Sequence, residues 1–551
     1  MGSVGSFLDS LASRVSRHRI MSTAKRLSLY NRIQGTRELV EAAYMLEGLL
    51  LEELPDNVDV EVIEYSVKGL PDWLEPPTGW HLEEAVVKVG GKTLHSGDRP
   101  LIAAPHSPPS DGWVKGEAII IGDPLDPGSY EGLEGKVAVI GRHHRTAYRL
   151  AVSNGAAAVV FYREDLPGDA VPYIGLFLPP EEARSSGVPA FSIPNRLVDG
   201  IHGSVIEAYM DSDILDNPRF PVIVAWSGDK GERGPLLTAH YCHPSPGAND
   251  NASGVAGAME AFRLLVELDP GTTYRLALVP EYTGSITVLS HWLSQVTSSI
   301  INLDMVGGRP WDGVGDTAVY LPSMNTRHRL ASISIDAGMM LYSRIGWMPL
   351  YRYYSGGSDH DVGLALGVES IMVNQWPDPY YHSDWDDINR IDPDSISKAT
   401  LLAALTAYLE SSGYEPVNGD PRTGMIITSH TARGDDVSSK LAREVLMGEP
   451  AGSGWRPVDD DRRVKTGHLF LLDPMLQGFT LEEAARLSRI LAGQRSWNAL
   501  ARELFYHAAS GTTIASLHSK LAAIYGIDSV PEKEFVEAVE MYLSRGVLKP
   551  Y

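Results

Sequence analysis

The spacing of hydrophobic and polar positions changes several times along the chain. Between residues 35 and 57, apolar residues recur at helical spacing as far as Pro55, and VDVEVIEYSV then alternates like a strand. Farther on, the apolar runs GPLLTAH, YRLALVPE and SSIINLDMVG are separated by helical patterns such as VAGAMEAFRLLVEL. Apolar strands that alternate with helices predict an α/β fold with a mixed, largely parallel sheet covered by helices.

Two other regions have a different pattern. Residues 73–204 contain short β-rich runs broken by glycine and proline, which predicts an inserted β-rich domain. Beyond residue 412, linker-like stretches lead into a mostly helical module that ends in a helix, a turn, a helix and a short strand, as in winged-helix domains. The predicted division is 1–72 for N-terminal helices and the first part of the α/β domain, 73–204 for the insertion, 205–412 for the main α/β domain, and 413–551 for the C-terminal region.

Composition and charge narrow the classes of partner. The 551 residues carry 47 Lys and Arg against 70 Asp and Glu, a formal net charge of −23 that disfavours nucleic acid and anionic membranes. The last predicted helix also carries several glutamates, the wrong sign for a major groove. A single cysteine excludes an intramolecular disulfide framework, and no apolar run reaches about 18 residues. We therefore expect a cytoplasmic protein without nucleic-acid or membrane partners.

Residues with metal-binding side chains follow the predicted strands. His240, Glu281 and Asp304 each stand at or near the end of an apolar strand run, and Asp250 and His382 add a carboxylate and an imidazole. Because the carboxyl ends of parallel strands meet at one edge of a sheet, we expect these residues to converge. Nitrogen and oxygen ligands of this kind suit Zn²⁺, with Mn²⁺ or Co²⁺ as substitutes. One or two ions held there would activate water and polarise a carbonyl.

Several of the candidate site residues also have an ordinary structural explanation. A histidine at a strand end is often only hydrogen-bonded, and Asp250 before NASG is placed as a helix N-cap. Asp359 and His360, in the glycine-bearing segment SGGSDHD, either face a substrate or begin a helix. Cys242 is either a thiolate ligand or a small buried side chain.

Five motifs occur in the order and at roughly the spacing found in the M28 zinc aminopeptidase family: HYCHPSPGANDNASGVAGAMEAFRLL, VPEYTGS, INLDMVG, GGSDHDVGLALG and YYHSDWDDI. The resemblance covers about residues 30–70 and 205–412. LEGKVAVIGR, SNGAAAVVFY and VPAFSIPN resemble the protease-associated domain that is often inserted in such enzymes. The H-x-C-H-P form and the acidic tail look similar to a bacterial and archaeal branch of M28-like proteins that ends in a winged helix.

The resemblance implies a role for each matching residue. His240 and Asp304 would bind a first metal ion, Asp250 would bridge two ions, and His382 would bind the second. Glu281 would be the general base. In the family the peptide bond after the bridging aspartate is commonly cis, so the bond that follows Asp250 is a candidate for that conformation.

The chain departs from the family pattern at two positions. Cys242 stands where the family usually has an acidic residue, and Tyr282 follows Glu281 where the family usually has a second glutamate that binds metal. His243 could compensate as a ligand or as a hydrogen-bond donor to a ligand, or it could replace His240. The sequence leaves these alternatives open.

The resemblance implies a metal-dependent aminopeptidase, a zinc metallopeptidase that removes N-terminal residues from peptides. Tyr282, Asp359, His360 and Tyr381 would contact the substrate, and the inserted domain would act as a lid or size filter. The C-terminal region suggests a homo-oligomer. One alternative is a non-catalytic binding or assembly protein, which Tyr282 favours, and another is acyl chemistry of the glutaminyl-cyclase type on one zinc.

Overall fold

The computed structural model describes residues 2–185, 187–417, 422–466, 479–492 and 497–551. The helices are α1 (Gly2–Arg14), α2 (Arg17–Leu27), α3 (Arg37–Glu53), α4 (His144–Ser153), α5 (Pro180–Ser185), α6 (Gly254–Leu268), α7 (Thr283–His291), α8 (Arg329–Ile345), α9 (His360–Ala365), α10 (Pro393–Ser411), α11 (Arg422–Ala432), α12 (Asp436–Ala442), α13 (Leu481–Ala492), α14 (Trp497–Ala508), α15 (Ile514–Tyr525) and α16 (Glu532–Ser544). The strands are β1 (Val58–Ser66), β2 (Gly79–Val89), β3 (Lys92–His95), β4 (Val114–Ile120), β5 (Val137–Ile140), β6 (Ala158–Phe161), β7 (Ala190–Ser192), β8 (Val205–Leu215), β9 (Arg219–Ser227), β10 (Gly234–His240), β11 (Arg275–Val279), β12 (Thr297–Leu303), β13 (Thr317–Tyr320), β14 (Leu350–Arg352), β15 (Glu369–Gln375), β16 (Arg463–Thr466), β17 (Thr512–Thr513) and β18 (Leu548–Pro550).

The chain forms two compact units. Unit 1 comprises residues 1–317 and 373–411, and unit 2 comprises residues 318–372 and 412–551. The division expected from the sequence places 318–372 in the main α/β domain, whereas these residues pack with the C-terminal region in unit 2. The expected C-terminal domain, 413–551, includes the segments 418–421, 467–478 and 493–496, which lie outside the described residues. The four-domain division stays a prediction.

The main sheet of unit 1 contains the strands in the order β1, β9, β11, β10, β12 and β15. β9 runs antiparallel to β1 and β11, whereas β10 is parallel to both β11 and β12. β10 and β11 are buried along their whole length, as expected for strands that helices cover on both faces. α3 packs on β9, and α6 and α10 pack on β10. The predicted mixed, helix-covered sheet is confirmed.

A second sheet in unit 1 is formed by the inserted segment, with strand order β3, β2, β8, β4, β5, β6, β7. Its core contains the fully buried side chains of Trp80, Phe191 and Ile206. β8 begins at Val205 and pairs antiparallel with β2 and β4, so this sheet extends beyond the expected boundary at residue 204. The alternating burial of β8 is typical of a half-buried antiparallel strand, and alternation alone does not say which sheet a strand joins.

Three neighbouring parallel strands of the main sheet end at the same edge. β10 ends at His240, β11 ends two residues before Glu281, and β12 ends immediately before Asp304. An irregular turn at Ala248–Ser253 then leads into α6, and its Asp250–Asn251 peptide bond is cis, as the family resemblance implied.

Gly247 allows this turn to form. Its φ of +50° lies in the left-handed region, and a Cβ at this position would collide with the imidazole of His243 and the carbonyl oxygen of Asp250. The turn therefore requires glycine at residue 247.

Unit 2 contains the parallel pair β13 and β14 and a small antiparallel sheet in the order β17, β16, β18. α15, α16 and β18 follow the predicted order of helix, turn, helix and strand. Their shared core includes Leu517, Leu521, Phe535 and Leu548, all buried. Among the described residues, no helix combines the length and the apolar character that crossing a bilayer requires.

Candidate metal centre

Two groups of side chains place possible ligand atoms close together at the strand-end edge of the main sheet. Within each group, these atoms all lie within 4.8 Å of one another. The members are His240, Glu281 and Asp304 in the first group, and His243, Asp250 and His382 in the second group. Imidazole nitrogens and carboxylate oxygens in sets of three are typical of zinc sites in proteins.

The carboxylate of Asp250 lies between the two groups. Its Oδ1 is 3.3 Å from Nε2 of His240. Its Oδ2 is 3.2 Å from Nε2 of His382 and 3.5 Å from Nε2 of His243. One buried carboxylate therefore faces three imidazoles, the arrangement expected of a residue that bridges two cations.

Backbone and buried polar contacts fix the position of Asp250. The carboxylate of Asp386 accepts hydrogen bonds from the backbone N–H groups of Asn249 and Asp250, at 2.7 and 2.9 Å. The buried guanidinium of Arg32 donates to the carbonyl oxygen of Gly247 at 2.7 Å. Sequence reasoning missed both Arg32 and Asp386, although Asp386 belongs to the YYHSDWDDI motif.

The first group is held by the main sheet itself. Nε2 of His240 lies 3.3 Å from Oδ1 of Asp304, and its Nδ1 lies 3.2 Å from the carbonyl oxygen of Cys242. The carbonyl oxygen of Asp304 accepts a hydrogen bond from the side-chain amide of Asn374 at 2.8 Å. These contacts come from strands or from residues next to strand ends, so the sheet sets the geometry.

Cys242 supports the backbone of Glu281. Its Sγ accepts the N–H of Glu281 at 3.1 Å and the side-chain amide of Gln34 at 3.5 Å. The same Gln34 amide donates to the carbonyl oxygen of Glu281 at 2.9 Å. Cys242 is buried and belongs to neither group. Of the two expectations for Cys242, a thiolate ligand or a small buried side chain, its position agrees with the second.

His243 presents a buried ring nitrogen to the second group. Its Nδ1 lies 2.8 Å from the carbonyl oxygen of Pro244, a hydrogen bond that requires the proton on Nδ1. Nε2 then carries a lone pair, is buried, and has no hydrogen-bond partner among the described residues. A lone pair aimed at the carboxylate of Asp250 suits a shared cation, so the residues present fit a divalent metal ion.

Burial and the charges of the two groups together shift the pKa values of their members. Burial opposes protonation of His240, but the carboxylates of Asp304, Glu281 and Asp250 outweigh it and raise the His240 pKa well above its usual value. Burial lowers the pKa of His243 to about 3. Burial disfavours the charged form of Asp250, but the neighbouring histidines outweigh it and hold its pKa well below the usual range.

The inserted domain contributes a side chain to this edge. The ring of Tyr173 lies 4.9 Å from the ring of His243 and 4.8 Å from that of His382, measured between centroids. Its backbone N–H donates to the carbonyl oxygen of His382 at 2.8 Å. Nothing in the sequence pattern links Tyr173 to residues so far along the chain, and we did not predict it.

The four expected substrate-contacting residues divide between the units. Tyr381 stacks on His382 with 3.8 Å between ring centroids, and Tyr282 directly follows Glu281 with a φ of +57°. Asp359 and His360 lie in unit 2, where both are buried.

His360 begins the short helix α9, and its Nε2 lies 2.9 Å from the carbonyl oxygen of Ser355. This position agrees with the helix-start explanation, and the substrate role of Asp359 and His360 stays a prediction.

The mixed α/β sheet with imidazole and carboxylate groups at its strand-end edge agrees with the zinc-exopeptidase-like fold class. Within the chain, residues 221–407 match the model described as peptidase family M28. Over these residues the chain is similar to the M28 peptidase family, in agreement with the resemblance of the motifs. Aminopeptidase YwaD of Bacillus subtilis (strain 168) is 25% identical over 299 residues, a match that covers 50% of this chain and 62% of YwaD. The chain thus spans less than two thirds of that relative's length.

Solved structures share the fold. BSAP, a zinc aminopeptidase from Bacillus subtilis, is 21% identical, with a TM-score of 0.55 over 72% of this chain and 95% of that chain. A peptidase M28 precursor from Shewanella amazonensis SB2B is 16% identical, with a TM-score of 0.58 over 76% of this chain and 99% of that chain. A structure from Clostridium acetobutylicum is 13% identical, with a TM-score of 0.51 over 99% of this chain and 98% of that chain.

Proposed function

We propose that this protein is a metal-dependent aminopeptidase, a zinc metallopeptidase that hydrolyses the N-terminal residue from peptides. The observation that carries the proposal is the position of Asp250, whose two carboxylate oxygens face imidazoles of two separate groups. The match to the M28 family and the similarity to aminopeptidase YwaD support it.

The two groups would hold one or two ions, with Zn²⁺ preferred and Mn²⁺ or Co²⁺ as substitutes. His240 and Asp304 would bind the first ion, His243 and His382 the second, and Asp250 both. A divalent cation held there would supply Lewis-acid polarisation of the scissile carbonyl and lower the pKa of water. In the family a glutamate at the position of Tyr282 usually binds the second ion. Here His243 would supply that ligand instead.

Glu281 would move the proton. Its carboxylate would accept a proton from the attacking water as the new C–O bond forms, and would pass it to the amine nitrogen as the C–N bond breaks. The backbone of Glu281 is fixed on both sides by Cys242 and Gln34, which keeps the carboxylate at this edge. The side chain is half-buried and so can reach a bound peptide.

The aromatic residues beside the second group suit a peptide with an apolar first side chain. Burial, together with the carboxylates of Asp250 and Glu281, raises the pKa of Tyr381 well above its usual value, so the phenol stays protonated and can donate a hydrogen bond. Trp376 packs edge-on against Tyr381 and leaves 42% of its surface exposed. We propose Tyr381 and Tyr282 as substrate contacts, with Asp359 and His360 as further candidates.

The remaining proposals concern location and partners. The single cysteine is a free buried thiol, which suits a reducing compartment, and we propose the cytoplasm. The net charge of −23 favours peptides over nucleic acid and anionic membranes as partners. We propose a homo-oligomer formed through the C-terminal region, and light scattering of the full chain tests it: a monomeric mass would contradict this part of the proposal.

Activity assays on the full chain test the function directly. The protein is stripped with EDTA, resupplied with Zn²⁺, Mn²⁺ or Co²⁺, and given chromogenic aminoacyl substrates, their N-acetylated analogues and a peptide with N-terminal glutamine. The proposal predicts metal-restored hydrolysis of substrates with a free amine and none of the acetylated ones. Release of ammonia with ring closure of the glutamine would indicate a cyclase, and metal binding without turnover would indicate a binding protein.

A matched pair of carboxylate variants controls this assay. Asp250→Asn should be inactive, whereas Glu449→Gln, at an exposed carboxylate paired with Arg443, should keep the activity of the parent protein. Equal activity in both variants would remove Asp250 from the mechanism.

A further inference from the structure

The segment that carries His382 is tied to the inserted domain by five hydrogen bonds. The inserted segment donates four of them, two to carbonyl oxygens and two to the carboxylate of Asp384, and accepts the fifth, from Asp384 N to Val171 O at 3.1 Å. The four donated bonds run from Tyr173 N to His382 O (2.8 Å), from Arg163 Nη1 to Tyr381 O (2.8 Å), from Val171 N to Asp384 Oδ1 (2.9 Å) and from Arg99 Nε to Asp384 Oδ2 (2.7 Å). Pro172 and Ser383 also form an isolated antiparallel bridge.

His382 needs such support because of its backbone. Its φ of +54° lies in the left-handed region, which residues with a side chain rarely adopt. Conformations of this kind persist only where the surroundings hold them. The hydrogen bond from Tyr173 to the carbonyl oxygen of His382 holds the backbone at this residue.

The ring of Tyr173 supplies a second constraint. It is buried and touches both imidazoles of the second group, edge-on to His243 at 75° and tilted to His382 at 55°. The contacts of the first group come from the main sheet, through Cys242 and Asn374. Among the described residues, the ring of Tyr173 thus packs on the two imidazoles of the second group.

We propose that the inserted domain is a fixed part of the second metal position. Tyr173 is a positioning residue that orients His243 and His382, and Arg163 holds the segment from which His382 projects. The second ion depends on these contacts, and the first ion does not. The inference rests on the metal binding in the proposed function, and it replaces a movable lid, which would have to break all five hydrogen bonds.

Calorimetric titration of the EDTA-stripped full chain with Zn²⁺ tests the proposal without reference to activity. The parent protein should bind two ions. Tyr173→Ala should leave the first binding step within about twofold of the parent and weaken the second by about 10–100-fold, the usual effect of losing a residue that orients a metal ligand. Tyr173→Phe keeps the ring and the backbone N–H, and should restore the second step.

Arg163→Ala keeps the test decisive if Tyr173→Ala does not fold, because the Arg163 side chain is partly exposed and pairs with the exposed carboxylate of Asp165. In Arg163→Ala the second zinc ion should also bind more weakly than in the parent protein. The matched control is Arg184→Ala, which removes an exposed inserted-domain arginine paired with Asp216. Thermal melting of each variant verifies that the fold is intact.

The possible outcomes distinguish failure of the proposed function from failure of this inference alone. A parent protein that binds no zinc would contradict the proposed function and this inference together. Two ions in the parent with an unchanged second step in Tyr173→Ala and Arg163→Ala would overturn this inference alone. Equal weakening of both steps in a folded variant would also overturn it, because the claim is specific to the second ion.

Discussion

The first and second groups use the same kinds of ligand, but the chain holds them in different ways. His240, Glu281 and Asp304 stand at the ends of three neighbouring parallel strands, where pairing along the sheet fixes their positions. His243, Asp250 and His382 stand on turns and loops, and are held by Arg32, Asp386 and Tyr173. The first group therefore depends mainly on the sheet, with help from Gln34 at Glu281, whereas the second group depends on buried supports from distant segments.

Loss of the shared carboxylate should give the largest effect. Asp250→Asn keeps the shape of the side chain but removes the charge that faces both groups, so activity should fall below detection and both ions should bind more weakly. Metal analysis of the purified variant measures this, with Glu449→Gln as the control. Full activity with normal metal content would reduce Asp250 to a structural residue of the turn before α6.

Glu281→Gln should separate chemistry from binding within the first group. Turnover should fall by roughly 10²–10⁴-fold, the usual contribution of a general base, while metal content stays near that of the parent. Steady-state kinetics and metal analysis on the same sample decide the matter. If the variant loses an ion and keeps residual turnover, Glu281 is a ligand and the base lies elsewhere.

Acid should destabilise the inserted domain through His106. Burial lowers the pKa of this imidazole to about 4, against 6.5 in the unfolded chain. The folded state therefore holds His106 neutral. The free energy of unfolding is unaffected by this group above pH 6.5 and decreases as pH falls toward 4, by about 3 kcal/mol at most. Arg145 also disfavours the charged form of this histidine.

Denaturant unfolding of the parent and of His106→Gln between pH 7 and pH 4 measures this loss. The variant should show a flatter dependence of the free energy of unfolding on pH. Parallel curves for the two proteins would mean that His106 does not contribute.

The second group can be rebuilt in the family's usual form. His243→Ala should weaken the second zinc by at least about 10-fold, because it removes a proposed ligand. Adding Tyr282→Glu to that variant places a carboxylate where the family has its second glutamate, and should recover part of the lost affinity. Titration with zinc measures both. If Tyr282→Glu restores nothing, its side chain does not reach the second ion, and the family register does not extend to this position.

Much of the fold followed from the sequence because local pattern determines it. The period of apolar residues indicated α3 and β1, and the runs that became β10, β11 and β12. The placement of β8 was missed because an alternating pattern indicates one buried face and does not say which sheet the strand joins. Residues 318–372 were assigned to the main domain because chain order, and not packing, was all that the sequence offered.

The candidate site was predictable where its residues end strands, and not where tertiary packing places them. His240, Glu281 and Asp304 could be expected together because each ends a parallel strand, and the sheet converts that shared position into proximity. Tyr173 and Arg32 could not, because their positions depend on tertiary packing between segments far apart in the chain. The position of His243 beside Asp250 also required the turn that Gly247 permits.

Diffraction from crystals soaked in zinc, with data collected on both sides of the zinc absorption edge, tests the central claim most directly. The account predicts two anomalous peaks, one among His240, Asp304 and Asp250 and the other among His243, His382 and Asp250. A single peak, or a second peak that His243 does not contact, would contradict the claim that this chain builds a two-ion site in which a histidine replaces the missing glutamate.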